Sequence, residues 1–184
     1  MAEAAKVADE LGFEKVTLAA LAERFGVAYP SLYKHVGGLG DLRTRLAAMA
    51  LRELGDALAG AAVGRSQGDA LAHMAAAYRT YATDHPGRYA ATLAAPRPDH
   101  TENVEAAEAL LRTVFAVLAG YGLGGDDAVD ATRAVRAALH GFVALEAAGA
   151  FGMPHDVDRS YLRLVAALDT ALRGWSALVP PAAR

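Results

Sequence analysis

A chain of 184 residues, 54 % hydrophobic and 21 % charged with a net charge of −3, has the make-up of a globular protein. It contains no cysteine, which excludes a disulfide framework, a thiolate metal site and a cysteine nucleophile. Alanine and leucine dominate and strand-type runs are missing. No charge-free stretch reaches the roughly 20 apolar residues of a membrane span and the N-terminus lacks a basic leader, so an all-α, cytoplasmic protein is expected.

The first helix is predicted over Ala2–Leu11, with Ala4, Val7, Ala8 and Leu11 on one face and Gly12 as a terminator able to take a positive φ. A second starts after Thr17, whose hydroxyl caps its first turn, with Val16 and Leu21 as a hydrophobic staple. Its apolar stripe is Leu18, Leu21, Ala22 and Phe25, and Gly26 makes the turn. A third runs from Tyr29 to Val36 with Pro30 in its first turn, Leu32 and Val36 inward, and Tyr29, Ser31, Tyr33 and Lys34 outward.

Gly37, Gly38 and Gly40 then lead into a long fourth helix, Asp41–Ala62. A fifth opens on the capping pattern Ser66-Gln67-Gly68-Asp69 and runs to His85, where Pro86-Gly87 ends it. The remaining helices are expected at Arg88–Ala94, Glu102–Tyr121, Ala128–Ala150 and Val157–Ala177, the last before Pro180-Pro181. Nine helices result. Residues 1–44 are expected to form a three-helix domain, and residues 45–184 a six-helix bundle.

Two short helices around a tight turn, the second bearing Tyr29, Ser31, Tyr33, Lys34 and His35, have the layout in which one helix braces and the next meets DNA. Between positions 24 and 45 the basic residues Arg24, Lys34, Arg43 and Arg45 face a single acid, Asp41. A small basic patch on an acidic body suits a modular DNA binder. No Ser/His/Asp grouping, no carboxylate pair on a common helix face and no phosphate loop suggests an enzyme. The six histidines include no HxH or HxxxH pair, so no metal or cofactor is expected. His155-Asp156-Val157-Asp158 reads as a helix N-cap.

Residues 4–46, with the alanine-rich first helix ending LGF, then VTLAALAERFGVAYPSLYKHV and Leu42, resemble the DNA-binding domain of the TetR family of transcriptional regulators. The C-terminal part, through HPGRYAATL, LHGFVALEAAGAF and DVDRSYLRLVAAL, resembles the branch named for a Trp-His-Gly motif. Three departures stand out. No basic arm precedes the first helix, Ala28 stands where a Ser or Thr cap is usual, and GGLGD replaces a serine-lysine-glutamate entry to the fourth helix.

The resemblance implies a ligand-responsive repressor that binds double-stranded operator DNA as a homodimer and is released by a small molecule. DNA contact then falls to Thr17, Ala28, Tyr29, Pro30, Ser31, Tyr33, Lys34 and His35. Thr17, Tyr33 and Lys34 would meet phosphates, and Tyr29, Pro30 and Ser31 the major groove. A mostly apolar effector cavity would draw on His73, Tyr78, Tyr81, Tyr89, Phe115 and His140. The last two helices would pair across a two-fold axis through Leu139, Phe142, Val143, Leu164, Leu168 and Leu172, beside the small-residue row Ala137, Gly141, Ala144 and Ala148. The alternative is a small-molecule carrier or co-regulator with a degenerate DNA-binding domain.

Overall fold

The computed structural model describes residues 1–178; Pro180-Pro181 lies outside the described residues. Among these residues the fold is all-α, with eight α-helices, three short 3-10 helices and no strand. Two compact units are present. One comprises Met1–Asp56 and Tyr81–Leu110, the other Ala57–Thr80 and the chain from Leu111 onward. Helix α3 (Leu39–Ala62) runs unbroken through position 44, where the sequence suggested a functional boundary.

The first unit opens with α1 (Ala2–Leu11), which buries Ala4, Ala5, Val7 and Ala8. Gly12, at φ 97°, ends it and donates to the Ala8 carbonyl at 2.8 Å. Helix α2 (Leu18–Phe25) is capped as expected, the Ala20 N–H reaching Thr17 Oγ1 at 3.1 Å. Gly26 closes it in the left-handed region at φ 63°, ψ 31°. Two expected core residues are not in the core: Leu11 and Phe25 are each 48 % exposed. Both are last residues of their helices, and the apolar cluster of this domain ends one turn earlier on α2, at Ala22.

The third expected helix is a 3-10 helix, Tyr29–Lys34. Its bonds run at i,i+3 spacing, Ser31 N–H to Ala28 O at 2.9 Å and His35 N–H to Leu32 O at 2.9 Å. Ala28 offers no side-chain cap to its first turn. Leu32 is buried and Val36 packs against the same cluster of α1, α2 and early α3 side chains. Asp41 then receives the Gly37 N–H at 2.8 Å, satisfying a backbone donor as α3 begins.

Helix α4 (Gln67–Asp84) starts within the expected capping pattern, with Asp69 turned to Arg65 and His73. Helix α4 stops at Asp84, just before Pro86-Gly87 as expected, and the dipeptide also starts α5 (Pro86–Ala91), two residues before the expected start, with proline in its favoured first turn. Gly87 is required by packing. A Cβ there would fall inside the van der Waals envelope of the Ala8 carbonyl, so α5 meets the backbone of α1 directly. Asp9 accepts the Arg88 N–H at 2.9 Å and its Nε at 2.7 Å, and Arg88 Nη1 reaches Glu53 at 2.9 Å. The Tyr81 hydroxyl donates toward Ala50 O and Glu53, both at 3.2 Å; burial first, then the Glu53 charge, holds its pKa well above the usual range.

Helix α6 (Thr101–Ala119) begins in the first unit, where His100 Nδ1 lies 3.1 Å from Thr44 Oγ1 of α3. The second unit holds α7 (Gly125–Ala147) and α8 (Val157–Arg173), the latter capped by Asp156, which accepts from Asp158 N at 2.9 Å and Arg159 N at 3.3 Å. Arg79 of α4 pairs with Glu146 and with Asp158 at 2.8 Å, and its guanidinium lies 4.9 Å from the centre of the Tyr161 ring. Tyr161 in turn donates to Ala75 O at 2.7 Å. No described helix is long and apolar enough to cross a membrane.

Candidate nucleic-acid interface

The exposed face of the helix-turn-helix is built on a closed core. Val16 and Leu46 have no measurable exposure, and Leu18, Leu21, Leu32 and Leu42 are buried with them. With Leu32 held inward, the register of the 3-10 helix turns Tyr29 (44 % exposed) and Tyr33 (54 % exposed) to solvent. Their rings pack edge to face with centroids 5.6 Å apart, and their hydroxyls are 3.2 Å apart. That bond, followed by desolvation, raises the Tyr29 pKa. Ala28, Pro30, Lys34 and His35 are also exposed, while Thr17 and Ser31 are half-buried. The Thr17 hydroxyl already serves as the cap of α2. The tyrosine pair was not anticipated, although an i,i+4 spacing of two aromatics is a readable signal.

The electrostatics differ from the basic patch expected. Arg24 is held by Glu10 at 2.7 and 2.8 Å, with Glu3 at 3.8 Å. Arg43 reaches Glu14 Oε2 at 3.2 Å and Glu14 O at 2.6 Å, and sits over the Phe13 ring at 5.6 Å. Arg45 pairs with Asp41 at 2.9 Å and donates to His35 O at 3.3 Å. Three of the four cations therefore join parts of the domain to one another. Lys34 is exposed and makes no ion pair among the described residues, so its charge is available to an anion. The Asp41 carboxyl is held below the usual aspartate range, first by the Gly37 N–H and then by Arg45.

The expected effector residues differ in burial and in the unit they belong to. Tyr81 and Tyr89 are buried in the first unit, whereas His73, Tyr78, Phe115 and His140 belong to the second. His73 is a surface residue whose Nδ1 lies 2.8 Å from Asp69 O. It sits off the face through which α4 buries Leu71, Met74, Ala75 and Tyr78, so it lines no enclosed cavity. Phe115 is 36 % exposed. No group of residues suited to hold a metal ion occurs among the described residues.

The expected dimer residues also divide. Leu139, Val143 and Leu172 are buried within the protomer, at 5 %, 5 % and 1 % exposure. A second copy has no surface of theirs to cover, which corrects that expectation. Phe142, Leu164 and Leu168 are half-buried; Phe142 packs against Phe151 and Tyr161 with ring centroids 4.8 and 4.9 Å away. Exposed on α7, its C-cap and α8 are Ala137, Ala144 and Ala148 of the expected small-residue row, together with Leu145, Leu162 and Ala166.

Comparisons with known proteins agree with this architecture. Residues 1–38 match the family model "Bacterial regulatory proteins, tetR family", and residues 71–168 match "Tetracyclin repressor-like, C-terminal domain". The "Uncharacterized HTH-type transcriptional regulator Rv0681" of Mycobacterium tuberculosis is 41 % identical over 142 residues, covering 77 % of this chain and 65 % of the relative. The chain thus spans just under two thirds of that relative's length. The "Uncharacterized HTH-type transcriptional regulator YobS" of Bacillus subtilis is 37 % identical over 154 residues, 84 % of this chain and 80 % of the relative. A solved protein with unknown function from Rhodococcus sp. RHA1 superposes with a TM-score of 0.72 at 27 % identity, covering 94 % of this chain and 91 % of the other. A TetR variant from Acinetobacter baumannii AYE in complex with minocycline gives 0.67 at 24 % identity over 96 % and 94 % of the two chains, a likeness of fold. A capped brace helix, a glycine turn and an outward-facing second helix, matched together with the C-terminal domain, place the chain in the TetR family of helix-turn-helix transcriptional regulators.

Proposed function

We propose that the chain is a cytoplasmic, homodimeric repressor, not an enzyme, whose hold on operator DNA is weakened by a small-molecule effector. The observation that carries the reading is the exposure of Tyr29, Tyr33 and Lys34 from a 3-10 helix whose inner side is fixed by Leu32. Two phenol hydroxyls, one uncommitted ammonium and a helix N-terminus form a surface for phosphate oxygens and groove edges. Thr17, Ala28, Pro30, Ser31 and His35 border it.

In this reading residues 1–44 bind DNA and residues 45–184 sense and dimerise. One domain of this size makes too few base contacts for specificity, so two copies held roughly 34–36 Å apart would read a near-palindrome. The exposed small residues of α7 and α8, with Leu145 and Leu162, supply a surface for that pairing. An effector that favours another spacing by about 1–3 kcal/mol would lower operator affinity roughly 5–150-fold, and the operator would weaken effector binding equally. HPGRYAATL and LHGFVALEAAGAF support the finer placement of the C-terminal half in the Trp-His-Gly branch, although the motif's tryptophan is missing and Leu139 precedes His140.

Fluorescence anisotropy with DNA fragments from beside the chain's own gene tests this reading. Sequence-selective, salt-sensitive binding supports it. Binding of lipophilic small molecules with no selective DNA binding would instead establish a carrier with a degenerate DNA-binding domain.

A further inference from the structure

The tyrosine pair carries an inference about which chemical groups the protein reads in DNA; it rests on the DNA-binding function proposed above. A neutral phenol has one O–H donor and oxygen lone pairs that accept. With the two hydroxyls 3.2 Å apart, one O–H is spent on the other oxygen. The pair as a whole then retains a single outward donor. A phosphate oxygen can only accept, so whichever tyrosine meets phosphate must be the acceptor within the pair.

Position decides which one. Tyr33 is the more exposed, at 54 % against 44 %, and adjoins the unpaired Lys34, the place where a phosphate is drawn. Tyr29 begins the 3-10 helix, at the N-terminal end that enters a major groove. The geometry points to a directed relay in which the Tyr29 hydroxyl donates to Tyr33 and the Tyr33 hydroxyl donates to a DNA phosphate. Tyr29 is thereby left as an acceptor-only reader of exocyclic amino groups in the major groove.

Two consequences follow from the donor and acceptor pattern of the bases. Tyr29 favours adenine N6 or cytosine N4 at the position it touches and disfavours guanine O6 and thymine O4, which also only accept. A hydroxyl that accepts one hydrogen bond donates a second more strongly, so Tyr29 also strengthens the Tyr33–phosphate contact without touching phosphate. Tyr29 is a specificity residue toward the base and a positioning residue toward the backbone. Tyr33 sets the specificity of Tyr29 by occupying its proton.

The test is selection of operators from a randomised duplex library by the full-length wild-type chain and by Tyr29→Phe and Tyr33→Phe. Both substitutions remove only an exposed hydroxyl, and thermal melting checks that the fold is intact. Every base pair carries one major-groove amino group, adenine N6 or cytosine N4, so wild type is expected to fix the strand on which that group stands at one position per half-site. Replacing the base that bears it by purine or 2-pyrimidinone, which lack the amino group, should weaken wild-type binding roughly fivefold per half-site, the loss of one net hydrogen bond. The same replacement should leave Tyr29→Phe unaffected. In Tyr33→Phe the released Tyr29 proton should admit the reversed base pair there, alongside a loss of affinity common to all sequences. Wild-type binding that depends on no amino group at any selected position, or an amino-group dependence that survives Tyr29→Phe, would overturn the relay while leaving DNA binding intact. A wild-type chain that enriches no sequence would overturn the DNA-binding function itself, and the relay with it.

Discussion

Lys34 differs from the arginines around it in making no ion pair among the described residues, and that difference predicts their separate roles. Each phosphate-neutralising cation contributes about 0.9 to the slope of log affinity against log salt. Lys34→Ala should therefore weaken binding to all DNA sequences and flatten the slope by roughly 2 for a dimer; an unchanged slope in a titration between low and moderate salt would remove Lys34 from the interface. Arg24→Ala should leave the slope nearly unchanged, because its charge is already met by Glu10 and Glu3. Asp41 carries a pH consequence. Its folded pKa lies below the ordinary aspartate value, so its contribution to stability is complete above the unfolded pKa and is lost as pH falls through the folded one. Melting temperature followed downward from pH 5 should fall less steeply in Asp41→Asn than in wild type. The positions of these charges were legible in the sequence, but their pairing was not. Glu10 meets Arg24 across 14 positions and Glu14 meets Arg43 across 29, and only the packed helices bring them together.

Among the elements, those governed by local chemistry were readable and those governed by tertiary contact were not. Thr17, Gly26 and Asp156 end or start helices as their side chains and backbone dictate. The 3-10 helix in place of an α-helix at Tyr29–Lys34 was not readable, because short segments leave periodicity too little to discriminate the two. Pro86-Gly87 shows both cases. Read alone, the dipeptide ends a helix, and α4 does end at Asp84; that it also opens α5 was not readable, because this depends on the missing side chain that lets α5 rest on the Ala8 carbonyl. Gly87→Ala must push the two backbones apart and disturb the Asp9–Arg88 bonds alongside. A destabilisation of about 3 kcal/mol or more is expected, at the upper end for single substitutions. Urea unfolding measures it, and a cost below that of an ordinary surface substitution would mean that α1 and α5 are not in direct backbone contact.

For the whole molecule, the class of fold was more legible in the sequence than its surfaces. Periodicity marks the apolar side of a helix, but it does not separate residues facing the protomer's own core from those facing a partner. Leu139, Val143 and Leu172 were expected at an interface because they are apolar and in register, and they are in the core. The exposed Leu162, at 67 %, and Leu145, at 50 %, lie beside alanines that let a second backbone approach closely. If two copies pair through this face, Leu162→Asp places a charge without a partner into it from both sides. Sedimentation equilibrium should then show a folded monomer with the wild-type helix content. Operator binding should fall by orders of magnitude, because each half-site must be bound independently. Leu172→Ala separates the two roles. It opens a cavity inside one protomer and should cost about 2–5 kcal/mol of stability, with the folded fraction still dimeric. If Leu162→Asp remained a dimer on an unchanged operator, pairing would have to use another surface, and α7 and α8 would keep their exposed leucines for some other contact.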